Sequence, residues 1–300
     1  MRKTHLSYLV LAFLAIGALL LGACAKEPEL GTEENPIIWA VIPSGETERV
    51  ITGFEDITDI IFEETGLVID ALVTTEFAGA IEAICSDPSK ADMVALNTFS
   101  YLVAHERGCV DATLVSLRYG NNFYNGQIFV RADSGIETLE DLAGKTFCRP
   151  DPLSTSGWVA PSIALRTAGI DPDVDLAQIV DAGSHDAAIA GVYNGDCDAG
   201  ASYVDARGRI EEDYPDVMDV IKVIQISADI PNDGVQFASD FPEEMKTQIV
   251  DALLKMMETE AGLEALDTAY QWGGLEVQPD SFYDQFRQVL DAAGVSAGDF

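Results

Sequence analysis

The chain has 300 residues, with 17 Lys and Arg against 51 Asp and Glu and a formal net charge of −34. So acidic a surface repels nucleic acid and anionic lipid, which excludes a polyanion as the main partner. A small anion is still admissible, provided that local, neutral donors hold it.

The chain opens on an address. Arg2, Lys3 and His5 form a basic start, and residues 6–21 are an uncharged apolar run. Leu21-Gly22-Ala23-Cys24 closes it with small residues before a cysteine. This layout predicts a secretory signal peptide over residues 1–23, to be excluded from fold reasoning. The run falls short of the about 20 apolar residues that a full span needs. The Leu-x-small-Cys ending resembles a bacterial lipobox, which implies lipidation of Cys24. Residues 24–36 are polar and acidic, as a tether between membrane and domain would be.

About 265 residues follow, enough for two lobes with separate cores. Short apolar runs alternate with amphipathic segments, the pattern of an α/β fold. Ile37–Ile42 reads as a first strand and Pro43-Ser44-Gly45 as a turn. Val50, Phe54, Ile57 and Ile61 recur at helical spacing. Strands are predicted over 67–73, 93–96 and 114–117, and helices over 77–84 and through Tyr101 and His105. Residues 119–126 (YGNNFYNG) are polar and glycine-bearing and predict a crossing into a second lobe. That lobe holds strands over 127–130 and 145–148, near 179–180, and over 198–203 and 220–226. Its helices are predicted over 158–167 and 185–193. Residues 229–234 (DIPNDG) predict the return crossing, and helices near 243–257 and 281–292 complete the first lobe. The expected division is therefore 37–125 with 234–300 as lobe 1 and 126–233 as lobe 2, with a hinge and an inter-lobe cleft.

Cys85, Cys109, Cys148 and Cys197 follow the tether, and an exported chain permits disulfides. Four cysteines allow three pairings. Cys85–Cys109 and Cys148–Cys197 keep each bond within one proposed lobe, whereas a bond between lobes would lock the hinge. Free buried thiols are the alternative. No Cys-x-x-Cys or His/Cys cluster points to a metal.

Ser154-Thr155-Ser156-Gly157 sits where a predicted strand gives way to a predicted helix. A helix N-terminus has unpaired N–H groups and a partial positive charge. Three hydroxyls and a glycine that admits close approach complete a neutral oxyanion cradle. The alternative is that Ser154 only caps the helix.

These residues extend into a longer match. Residues 139–147 (LEDLAGKTF), 151–157 (DPLSTSG), Pro161, 185–188 (HDAA), 198–201 (DAGA) and 230–233 (IPND) together resemble the phosphate/phosphite/phosphonate-binding proteins of ABC importers. In the first lobe, 75–77 (TEF) and 97–101 (NTFSY) match more loosely. The resemblance implies a two-lobed type II periplasmic-binding fold. It also implies an extracytoplasmic, lipid-anchored monomer that delivers a small oxyanion to a membrane permease, with no cofactor and no enzymatic activity. It places Ser154, Thr155, Ser156 and Gly157 on the ligand, His185 on the second-lobe wall and Asp205 near an acidic position facing the ligand, and Tyr101 could close the cleft with its hydroxyl; the alternatives are a helix-cap histidine after Ser184, one more exposed acid, and a core tyrosine. A carboxylate beside an oxyanion is repulsive, so Asp205 would select an amine-bearing ligand or one keeping a P–OH proton. Phe77 stands where relatives often have tyrosine, and cannot donate a hydrogen bond. Two other readings remain open: a receptor of the same fold for a sulfonate or a thiamine-precursor pyrimidine, and an exported hydrolase using Ser154 or Ser156, His185 and Asp205. The hydrolase lacks a Gly-x-Ser-x-Gly elbow.

Overall fold

The computed structural model describes residues 28–42 and 47–300. The predicted signal peptide and Cys24 lie outside them.

Six strands form one sheet in the order β13-β4-β12-β3-β1-β2. They are β1 (Ile37–Val41), β2 (Ile69–Val73), β3 (Met93–Leu96), β4 (Val110–Leu117), β12 (Gly234–Ala238) and β13 (Gly274–Val277). β1 lies parallel to β2 and β3, while β12 runs antiparallel between β3 and β4. The β1 run of Ile-Ile-Trp-Ala-Val is apolar throughout because both its faces are covered. Helix α1 (Thr47–Thr65) covers one face through the buried stripe Val50, Phe54, Ile57 and Ile61. Trp39 packs edge-on against Phe54 there, at 5.0 Å between ring centroids. Helices α2 (Phe77–Cys85) and α3 (Thr98–Glu106) cover the other face.

A second sheet has the order β10-β6-β9-β7-β8. Its strands are β6 (Gly126–Arg131), β7 (Thr146–Arg149), β8 (Gln178–Asp181), β9 (Ala199–Tyr203) and β10 (Ile221–Ile226). Helix α4 (Ala160–Thr167) packs on one face with Trp158 and Leu165, and α5 (His185–Asn194) on the other with Ile189 and Val192.

The chain passes between the sheets at two places. The passages pair with each other as a two-stranded antiparallel ribbon, β5 (Phe123–Tyr124) with β11 (Ile230–Pro231). Asn232 ties them further: its Nδ2 donates to the carbonyls of Ser116 (2.8 Å) and Asn121 (2.9 Å). The mixed α/β architecture is thus as expected from sequence. Both expected disulfides are also present, Cys85–Cys109 and Cys148–Cys197, each linking residues beside one sheet.

Several elements went unpredicted, among them β12 inside the first sheet and the ribbon strands β5 and β11. Helix α7 (Glu260–Tyr270) follows α6 (Glu243–Met256), and β13 closes the edge of the first sheet before α8 (Asp284–Ala292). The helix predicted from residue 158 is also preceded by a wider turn, described next.

Candidate functional site

The cradle forms at the C-terminal end of β7, the edge where parallel α/β sheets present ligand sites. Ser154 caps the following turn, with Oγ accepting from the Gly157 N–H at 3.1 Å. The turn over Thr155–Val159 is π-helical: the Val159 N–H reaches back five residues to the Ser154 carbonyl at 3.0 Å. A π turn widens the helix start and is frequent at functional sites. Gly157 is required here, since a Cβ would lie 2.4 Å from the Pro150 ring and 2.8 Å from Ser154 Oγ. Ser154, Thr155 and Ser156 are all buried.

The first sheet supplies a second helix end directly opposite. Asn97 caps α3 by accepting from the Ser100 N–H at 2.9 Å. Thr155 Oγ1 accepts from the Phe99 N–H (2.9 Å) and donates to Asn97 Oδ1 (2.8 Å). Two helix N-termini, both of positive polarity, therefore meet across the cleft. Asn97 Nδ2 also donates to the Leu153 carbonyl at 3.2 Å, and Leu153 and Val159 pack into the first sheet's core cluster. Phe77 is half-buried at the start of α2, and its N–H donates to Asp151 Oδ2 at 3.2 Å. Asp151 also accepts from the Leu153 N–H at 2.6 Å, and burial pushes its carboxyl above the usual range.

His185 begins α5 and is buried. Its Nδ1 lies 2.8 Å from Ser202 Oγ, and its ring centroid is 5.0 Å from that of Tyr203. Burial, followed by the charge of Arg118, pulls the imidazole down to about 4, so it is neutral at physiological pH. The Tyr203 hydroxyl donates to Gln271 Oε1 of the opposite side at 3.2 Å, and burial pushes its pKa up to about 12. The neutral histidine has a consequence for stability. An unfolded histidine titrates near 6.5. Between pH 6.5 and 4 the unfolded chain takes a proton that the folded site refuses. Stability is therefore fully present above that window and is lost as pH falls through it, by on the order of 3 kcal/mol. Urea unfolding at pH 7 and pH 4.5 should show a greater loss for the wild type than for His185→Gln, and equal losses would contradict this.

Arg118 and Asp233 form the floor beneath the ribbon. Both guanidinium Nη atoms donate to the carboxylate, Nη2 to Oδ2 at 3.1 Å, and Nη1 to Oδ1. Ser116 Oγ (3.0 Å) and Trp272 Nε1 (2.9 Å) donate to the same carboxylate. Burial opposes ionisation of both partners, but their attraction overrides it: Asp233 is held below the usual carboxylate range and Arg118 above its own. Tyr124, from the ribbon, stands in hydrogen-bonding reach of Ser156 and Thr155, with its hydroxyl pushed up to about 12 by burial.

The structure thus links Ser154, Thr155, Ser156, Gly157, Asn97 and Tyr124 in one contact group, and His185, Ser202 and Tyr203 in a second. Tyr101 corrects an expectation. It is fully buried in the core between Tyr283 and His105, and its hydroxyl donates to Asp280 at 2.6 Å instead of closing the cleft. Asp205 is exposed at the end of β9 in a left-handed conformation (φ +69°), and among the described residues no hydrogen bond or ion pair holds its carboxylate. Arg118, Asp233 and Tyr124 were missed as site residues. Arg118, Tyr124 and Asp233 lie in or beside the two turn-rich stretches read only as crossings, where an isolated arginine facing an isolated aspartate was the available signal.

Comparison with known proteins agrees with this geometry. Residues 39–283 match the family described as ABC transporter, phosphonate, periplasmic substrate-binding protein. The chain is 27% identical over 302 residues to the phosphate-import protein PhnD of Mycolicibacterium smegmatis, covering 92% of this chain and 93% of that protein. It is 26% identical over 264 residues to the phosphonates-binding periplasmic protein of Escherichia coli, covering 85% and 75%. A binding component of an ABC phosphonate transporter from Pseudomonas aeruginosa shares the fold at a TM-score of 0.78 and 22% identity, over 86% of this chain and 87% of that one. PhnD1 of Prochlorococcus marinus, solved with methylphosphonate, shares it at 0.74 and 16% identity, over 86% and 98%. With two sheets joined by two passages of the chain, and a family match over residues 39–283, the chain belongs to the phosphonate-binding family of ABC-transporter periplasmic substrate-binding proteins.

Proposed function

We propose that this chain captures a small phosphorus oxyanion between the N-terminal ends of α3 and the Thr155 turn, and presents it to a membrane permease. The observation that carries this reading is the meeting of two helix N-termini across the cleft, lined by hydroxyls and, among the described residues, with no Lys or Arg hydrogen-bonded to them. The hydroxyls of Ser154 and Ser156 supply donors on one side, while Thr155 braces the opposing helix end and Gly157 admits the close approach. His185 supplies a neutral N–H on the other, and Tyr124 a hydroxyl from the floor. Charge compensation comes from dipoles and hydrogen bonds, which suits an anion in a strongly acidic protein. Residues 37–125 with 234–300 and residues 126–233 act as the two lobes, pivoting on the β5–β11 ribbon. Cys24 carries the lipid that anchors a monomer outside the cytoplasm. The hydrolase reading loses support because Ser154 Oγ is engaged with the Gly157 N–H and His185 Nδ1 with Ser202.

Calorimetric titration with phosphate, phosphite, methylphosphonate, 2-aminoethylphosphonate and sulfate tests the proposal. Micromolar or tighter binding of one phosphorus ligand, with none for sulfate, is expected. Silence across the panel from folded protein would overturn it and favour a receptor for another ligand. The exposed setting of Asp205 gives a separate expectation. Asp205→Asn should change affinity for methylphosphonate and for 2-aminoethylphosphonate by less than about twofold, because a solvated carboxylate is well screened. A selective loss of the amine-bearing ligand would return Asp205 to the site.

A further inference from the structure

The proposed site needs His185 as a donor to the oxyanion, and a neutral imidazole donates from only one nitrogen. Which nitrogen carries the proton depends on the partner of the other. Nδ1 is 2.8 Å from Ser202 Oγ, and Ser202 is fully buried, its hydroxyl having no other hydrogen bond among the described residues. A buried hydroxyl proton left unmatched is costly. The nitrogen of His185 is the acceptor available to Ser202.

The neighbourhood points the same way. Gln127 is the cross-strand partner of Ser202, so the two side chains leave the same face of the sheet. Gln127 is buried, and its Nε2 has no acceptor. No hydrogen bond joins this amide to Ser202 Oγ, which leaves His185 Nδ1 as the only partner of that hydroxyl among the described residues. Arg118, just after β4, and Tyr203, from β9, are the charged and titratable groups that act on or pack against the ring. Arg118 is bonded to Asp233, and the Tyr203 hydroxyl to Gln271.

We infer that Ser202 is the positioning residue of this site: its hydroxyl donates to His185 Nδ1, fixes the Nε2–H tautomer, and leaves Nε2–H as the donor to the oxyanion. The inference rests on the proposed phosphorus site but concerns a residue that does not touch the ligand. It also explains how a histidine can serve an anion without becoming a cation: its donor is set by a hydroxyl, not by pH. Binding should then be insensitive to imidazole titration between pH 5.5 and 8.

The test is a long-range 1H–15N spectrum of the untagged protein, labelled with 15N in histidine, combined with methylphosphonate titration. In the wild type, His185 should show a protonated Nε2 and a bare Nδ1, with no titration down to pH 5.5. Ser202→Ala should mix the tautomers and weaken methylphosphonate about tenfold. Ser202→Thr, which keeps the hydroxyl, should restore both. A protonated Nδ1 in the wild type, or an unchanged tautomer and affinity in Ser202→Ala, would overturn the inference. The outcomes separate it from the functional proposal. The predicted tautomer without phosphorus binding would sink the ligand but not the role of Ser202. Tight phosphorus binding with Nδ1 protonated would do the reverse.

Discussion

Asp233→Asn is expected to destabilise the protein by about 3 kcal/mol, the scale of breaking a largely buried ion pair at one partner. The pair makes two charge-assisted bonds with Arg118, and the carboxylate also accepts from Ser116 and Trp272. Asparagine keeps the shape but leaves the guanidinium without a counter-charge. That arginine would then raise the cost of every other positive end nearby. The side chains retain 25% and 21% exposure, which places the cost near the lower end for buried pairs. Guanidinium chloride unfolding of wild type and variant measures it, and a loss under about 1 kcal/mol would contradict the account. Arg118→Met with Asp233→Leu should lose less than Asp233→Asn alone, because removing both partners leaves no orphaned charge.

Thr155→Val carries the other large effect. Valine fills the same volume but strips the Phe99 N–H of its acceptor and Asn97 Oδ1 of one of its two donors. Both bonds join opposite sides of the cleft, so their loss falls on the closed form. Leaving buried polar groups unmatched costs about 1–3 kcal/mol, or roughly 5- to 150-fold in affinity. Methylphosphonate titration should show this weakening with little change in thermal stability. Unchanged affinity would remove Thr155 from the site.

Local signals made much of this legible in the sequence. The apolar stripe of α1 announced a helix, the run of β1 a strand, and Ser154 with its neighbours the start of the turn before α4. The disulfides followed from keeping each bond within one lobe. What escaped was mostly long-range. Arg118 and Asp233 are 115 residues apart in sequence, and no local period joins them. The four residues of β13 are too few to register an alternation. Tyr101 shows the opposite failure. Its helix is buried nearly all round, so sequence could not say which face met the cleft and which met the core.

The paired ribbon has a mechanical meaning. Both passages of the chain are hydrogen-bonded to each other, and Asn232 pins them to the end of β4. Two loose linkers would let the sheets slide, twist and bend independently. A single stitched seam leaves essentially one hinge coordinate. If the two sheets pivot as proposed, rotation about one seam would part the Thr155–Phe99 and Tyr203–Gln271 contacts together. Opening would then be all-or-none rather than a peeling from one side, and weakening either contact would lower the barrier for both.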